Sequence, residues 1–144
     1  MKRVLILCTG NSCRSQIAEA ILNKMGQGEF QAFSAGSKSA GFVHPMAIQV
    51  LEDMKYSTEG LHSKSMEDFR DQNFDVVITV CDRAKESCPT WPNDPERIHW
   101  SFEDPVKVQG TEEQKLAAFR KTATEMQQRM RLFLSVHSSK AARR

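Results

Sequence analysis

The sequence predicts an α/β fold, an open four-stranded parallel sheet with helices on both faces, and three observations carry that prediction. Short apolar runs alternate along the chain with stretches of helical periodicity, the pattern of a sheet built through crossovers. The run Asp75-Val76-Val77-Ile78-Thr79-Val80-Cys81 is rich in β-branched residues and apolar on both faces apart from Thr79, as a central parallel strand requires. Val4-Leu5-Ile6-Leu7 is a second unbroken apolar run and passes through a glycine-containing loop directly into a helical pattern.

Taken in order, Val4–Leu7 is the first strand, and Ile17, Ile21, Leu22 and Met25 recur at helical spacing in a first helix that ends near Gly26 or Gly28. Glu29 to Gly36 alternates polar and apolar residues and closes on glycine, a second strand. His44-Pro45 opens a helix over Met46–Met54, with proline in its first turn. Ser65 is an N-cap for a short helix through Phe69, followed by the central strand at 75–81. Pro89 and Pro92 mark irregular structure between Asp82 and Asn93; Arg97–Trp100 is a short fourth strand and Phe102–Pro105 a loop. Leu116, Phe119, Ala123, Met126, Met130, Phe133 and Leu134 trace one face of a long helix from Thr111 to Val136, with Thr111 and Gln114 as a capping box.

At 144 residues the chain fits one catalytic domain, expected over 1–137, with a disordered tail at 138–144. A formal net charge of +2 excludes the strong basic bias of a nucleic-acid or membrane-surface protein. The first apolar run stops after four residues, too short for an export signal, and no stretch approaches the roughly 20 apolar residues of a membrane span. A cytoplasmic monomer is expected. Four cysteines in a reducing compartment then point to catalysis or metal binding rather than a disulfide framework.

The chemistry concentrates in Cys8-Thr9-Gly10-Asn11-Ser12-Cys13-Arg14-Ser15, between the first strand and first helix. Backbone N–H groups of a tight turn and a helix start form a concave anion site, and Gly10 and Asn11 tolerate the positive φ such turns use. A guanidinium at Arg14 adds a planar fork for two oxygens of a tetrahedral oxyanion. The same charge and dipole predict Cys8 as a thiolate nucleophile below its ordinary pKa of about 8.5, with Ser15 placed to steady it. Cys13 is read equally well as a structural thiol or a redox one. His44, His62, His99 and His137 have no evident partners in the sequence and are assigned no chemistry.

Cys8-x5-Arg14-Ser15 after a first strand, with Asp104-Pro105 late in the chain, resembles the low-molecular-weight protein tyrosine phosphatase fold over nearly the whole length. Phosphatases of this fold carry proline after the Arg-Ser pair and an aromatic residue after Asp-Pro, where this chain has Gln16 and Val106. Cys81 closing a strand and Cys88 seven residues on resemble instead the thioredoxin-coupled arsenate reductases of the same fold. The resemblance implies that Cys8 attacks arsenate held by the loop and Arg14, that Asp104 protonates the departing oxygen, and that Cys81 attacks Cys8 to release arsenite. Cys88 then attacks Cys81, and the resulting Cys81–Cys88 disulfide moves outward to be reduced by thioredoxin. No cofactor is implied. The physical logic is independent of the family: arsenate reduction takes two electrons, which a thiol pair supplies by becoming a disulfide, whereas ester hydrolysis needs only a nucleophile and water.

The residues leave two other readings open. One is a phosphatase in which Cys81 and Cys88 are incidental, and the other a non-catalytic protein using its thiols as soft ligands for arsenite or zinc. Four residues between Cys8 and Cys13, and six between Cys81 and Cys88, lack the close pairs of structural zinc sites, so no metal site is predicted. Some reductases of the family bind potassium through an asparagine in the loop, a glutamate on the first helix and a later carboxylate. Asn11 and Glu19 match, but the third region reads His62-Ser63-Lys64-Ser65, which predicts that Lys64 replaces the cation by pairing with Glu19.

Overall fold

A computed structural model describes residues 1–81 and 91–138; Cys88 and its neighbouring polar segment lie outside the described residues. The element order is β1 (Lys2–Cys8), α1 (Arg14–Met25), β2 (Phe30–Gly36), α2 (Pro45–Asp53), a 3-10 turn (Met66–Phe69), β3 (Val76–Thr79), β4 (Glu96–His99), a second 3-10 turn (Pro105–Lys107) and α3 (Glu112–His137). The four strands pair in parallel in the order β2-β1-β3-β4. Elements shift from their sequence-predicted ends by one or two residues, and the short helix after Ser65 is a single 3-10 turn.

Strand alternation divides the core between the two faces of the sheet. Phe30 points toward the helix layer, where its ring meets Phe133 of α3 at 5.6 Å, and Phe133 meets Trp100 at 6.1 Å. Phe33, three residues on, faces the other side and meets Phe69 of the first 3-10 turn at 5.8 Å and Phe74 at 5.9 Å. Arg3 closes that cluster with its guanidinium 4.6 Å from the Phe74 ring. β1 runs between these layers with Val4, Leu5 and Ile6 fully buried, each burial contributing about 1.5–3 kcal/mol relative to an exposed side chain.

The predicted capping box forms at α3: Gln114 N–H donates to Thr111 Oγ1 at 3.1 Å and Thr111 N–H to Gln114 Oε1 at 2.8 Å. Such a cap is worth about 1 kcal/mol. Ser138, assigned to the disordered tail from sequence, instead caps the other end of α3: its N–H donates to Leu134 O at 2.9 Å and its hydroxyl to Glu29. The histidines also acquire partners that sequence did not offer. His44 Nδ1 accepts from Met46 N–H at 3.1 Å, His99 Nδ1 meets Thr79 Oγ1 at 2.7 Å, and His137 Nε2 meets Glu96 at 3.0 Å. The partners of His99 and His137 are brought by folding rather than by sequence spacing, which is why a linear reading misses them; that of His44 is local, the helix cap two residues away.

The strand order has one consequence for the site. The chain leaves β1 for β2 on one side and returns to β3 on the other, so the two sheet halves diverge beyond the C-terminal ends of β1 and β3. Open α/β sheets bind ligands at such a crevice. Leu7 pairs with Thr79, and Val80 N–H still donates to Leu7 O at 3.0 Å, so β1 and β3 deliver Cys8 and Cys81 to the same edge.

Candidate active site

The loop after Cys8 is held by its carbonyls. Ser37 N–H donates to Cys8 O, Lys38 N–H to Thr9 O, Ala40 N–H to Gly10 O and His44 N–H to Ser12 O, at 2.8–3.3 Å. Cys13 O receives Ile17 N–H at 2.9 Å as α1 begins. With the carbonyls turned outward, the N–H groups of Gly10 through Arg14 donate to no described residue, which leaves the concave donor set an oxyanion requires.

Asn11 is the hub of this loop and takes the left-handed conformation, φ 48°. Gly10 does not share that conformation, so the positive φ expected of both residues falls on asparagine alone. Asn11 is fully buried, and its Nδ2 donates to Ser15 Oγ at 2.8 Å and Ser34 Oγ at 2.9 Å. Its Oδ1 accepts from Lys64 N–H at 2.7 Å and Gln16 Nε2 at 3.0 Å. Gln16 Nε2 also donates to Asn11 O and His62 O, so the residue found where the phosphatases carry proline ties the loop to the segment after α2. Ser34 and Gln16 are the supporting residues that sequence reasoning missed. One lies on the helix after the loop and the other on a neighbouring strand, and neither gave a motif to find it by.

Ser34 Oγ donates to Glu19 Oε1 at 2.8 Å, and Lys64 Nζ stands 3.4 Å from the same oxygen. Lys64 Nζ also donates to His62 O at 2.7 Å. The pair predicted from sequence therefore exists in the fold, with both side chains only 12% exposed.

Arg14 begins α1 and reaches the loop at 102–105. Its Nη1 donates to Phe102 O at 2.9 Å, and its Nη2 lies 3.6 Å from Asp104 Oδ2. Asp104 caps the second 3-10 turn, its Oδ1 accepting from Val106 N–H at 3.0 Å. Cys8 to Arg14, Asp104, Val106 and Lys107 line a cavity of about 450 Å3. Thr9, Arg14, Cys81, Glu103, Asp104, Lys107 and Val108 line an adjoining one of about 460 Å3.

Cys8 and Cys81 are both buried at the neighbouring ends of β1 and β3, close enough for the Cys81 thiol to act on the Cys8 proton; Thr9 Oγ1 lies 3.4 Å from Cys81 Sγ. This placement corrects the expectation of a depressed Cys8 pKa. The hydrogen bond to Cys81 and, after it, burial push the Cys8 thiol well above the ordinary range, against Arg14 and the Thr9 N–H. Among the sequence-predicted residues the fold thus brings together Cys8, Arg14, Asp104 and Cys81, while Cys88 lies outside the described residues.

Cys13 is buried at the start of α1, and its thiol is pushed up to about 12, first by burial and then by Asp104, against Arg14. The unfolded thiol releases its proton near about pH 8.5, while the folded one keeps it. Stability from this proton is full below that pH and falls above it, by about 1.4 kcal/mol per pH unit until the folded thiol also titrates. Thermal melts across that range are expected to show the decline, and Cys13→Ala to flatten it. Equal declines in both proteins would assign the effect elsewhere.

Comparison with known proteins is consistent with this geometry. Residues 3–143 match the family described as low molecular weight phosphotyrosine protein phosphatase. An arsenate reductase of Halalkalibacterium halodurans is 38% identical over 132 residues, spanning 92% of this chain and 94% of that protein. A solved arsenate reductase in a phosphate-binding state superposes with a TM-score of 0.80 at 32% identity, covering 94% of this chain and 98% of that one. The thioredoxin-dependent arsenate reductase of Corynebacterium glutamicum shares the fold, with a TM-score of 0.65 at 24% identity, over 92% of this chain and 63% of that one.

Proposed function

Because the chain belongs to the low molecular weight phosphotyrosine protein phosphatase family, whose oxyanion loop serves more than one reaction, we propose that the thiol pair Cys8–Cys81 sets its reaction: reduction of arsenate to arsenite. The observation that carries this reading is the placement of the two buried thiols at the adjoining ends of β1 and β3, at the mouth of the loop. A phosphatase needs one nucleophile there; a reductase needs a second sulfur within reach of the first.

The steps follow from the placement of each group. Arsenate enters the N–H cradle and engages Arg14, drawing the guanidinium away from Asp104. Cys8 thiolate attacks arsenic, and one oxygen leaves as water with a proton from Asp104. Cys81 thiolate attacks Cys8 sulfur; the sulfur–arsenic bond breaks, its electron pair stays on arsenic, and arsenite departs. The Cys8–Cys81 disulfide now holds the two oxidising equivalents. Cys88 thiolate attacks Cys81, Cys8 leaves as thiolate, and a dithiol of the thioredoxin class reduces the Cys81–Cys88 bridge in the cytoplasm.

Mass mapping after a single arsenate turnover without reductant tests this sequence. The expected product is a Cys81–Cys88 disulfide, one per arsenite released. A Cys8–Cys13 bridge would refute the three-thiol order. Lys64 is proposed to occupy the place of a monovalent cation beside the loop, through its pairing with Glu19. Equal melting temperatures in potassium and sodium at fixed ionic strength are expected, and a clear rise in potassium would count against that role.

A further inference from the structure

The cations around the oxyanion loop differ in what they already hold. Arg14 is committed to Phe102 O and Asp104, and Lys64 to Glu19 and His62 O. Lys107 lines both cavities of the site, beside Cys8 and beside Cys81, yet its ammonium has no hydrogen-bond or ion-pair partner among the described residues. It ends the 3-10 turn that Asp104 begins, and its N–H donates to Asp104 O at 3.1 Å, so one short rigid element carries both residues.

We propose that Lys107 recruits the substrate, its unpaired ammonium drawing the oxyanion into the loop and strengthening its binding without a part in the sulfur chemistry. The formal charges of the cavity walls give the reason. Among the described residues, Arg14 and Asp104 offset each other as a pair, and Glu103 adds a negative charge that Lys107 alone balances. Without Lys107 the described walls carry a net negative charge toward a ligand that itself bears about −1.5 to −2 near neutral pH, taking a phosphate monoester as the guide. A cavity of about 450 Å3 is comparable in width to the Debye length at physiological salt, about 8 Å, so this charge reaches the oxyanion largely unscreened. Charges that line a cleft act mainly on encounter and ground-state affinity, not on the bonds that change later. Sequence alone gave Lys107 no significance, because it lies in no motif and becomes part of the site only when Asp104 folds against Arg14.

The inference rests on the reading of the loop as an oxyanion site, and it is tested by a measurement that moves no electrons. Inorganic phosphate is titrated calorimetrically into the reduced full-length protein and its Lys107→Ala, Lys107→Arg and Lys107→Glu variants at low and high salt. Lys107→Ala is expected to weaken phosphate about tenfold and Lys107→Glu further, with Lys107→Arg close to the parent. The parent's affinity should fall more steeply with salt than that of Lys107→Ala. In arsenate turnover the alanine variant should raise KM and leave kcat within about twofold, the signature of lost uniform binding. Parent-like phosphate affinity in Lys107→Ala, an unchanged salt slope, or a loss confined to kcat each overturns the proposal. Failure of the parent itself to bind phosphate would instead overturn the oxyanion reading, whatever the fate of the thiol cascade.

Discussion

Cys81→Ser is expected to lose thioredoxin-coupled arsenate turnover by more than about a thousandfold while binding inorganic phosphate as the parent does. The serine oxygen still fills the edge of the crevice beside Cys8, so the N–H cradle and Arg14 are undisturbed. What disappears is the second sulfur. After Cys8 has bonded to arsenic, an alkoxide is too poor a nucleophile toward sulfur to take the place of a thiolate, and the two electrons have no donor. Cys88→Ser separates the steps differently: it should release one arsenite per chain and stall with a Cys8–Cys81 disulfide. Coupled turnover measured for both variants, with mass analysis of the stalled species, checks the pair. Full turnover in both would remove the cascade, and aryl phosphate hydrolysis insensitive to both would leave a phosphatase.

Gly36→Ala should be the most damaging substitution in the site that touches no reacting atom. A Cβ at Gly36 would stand 2.5 Å from Thr9 O and 3.0 Å from Asn11 N. Both are backbone atoms, and Thr9 O is fixed by Lys38 N–H, so no flexible side chain can give way. The strain of forcing an added carbon into a packed site is about 1–3 kcal/mol. Relief requires moving the oxyanion loop, and a displacement of about 1 Å at a reacting geometry costs on the order of a hundredfold in rate. Melting temperature and arsenate kcat/KM should therefore fall together. Gly10→Ala is the control: its Cβ would meet Ser12 Oγ at 3.6 Å and Ala40 Cβ at 3.8 Å, ordinary contact distances, so its melting temperature should hold. A stable, active Gly36→Ala would show that the loop has slack that the packing does not suggest.

The contrast between these two glycines marks where a linear reading fails. Gly10 sits inside the motif and invites a conformational explanation, but the left-handed residue is Asn11 and the glycine without room for a side chain is Gly36, on another strand. The Cys8 thiol shows the same limit. Arg14 and the helix start argue for a lowered pKa, and both are visible in sequence; the opposing hydrogen bond to Cys81 is made across the sheet.

Sequence by itself determined the order of elements, the capping of α3, the oxyanion loop between β1 and α1, and the residues from which a reductase is built. These depend on periodicity, on caps three residues apart and on loop chemistry, all of which act over a few residues. Only the tertiary structure decided that Cys8 and Cys81 stand at adjoining strand ends, that Asn11, Ser34, Glu19 and Lys64 form one supporting chain, and that Lys107 faces the same cavity as Arg14. The first depends on parallel strands pairing out of sequence order, β1 with β3 as well as with its successor, while the supporting chain rests on β2 lying beside β1. The loop can bind an oxyanion wherever a strand meets a helix, but a second sulfur reaches it only because the sheet sets the ends of β1 and β3 side by side.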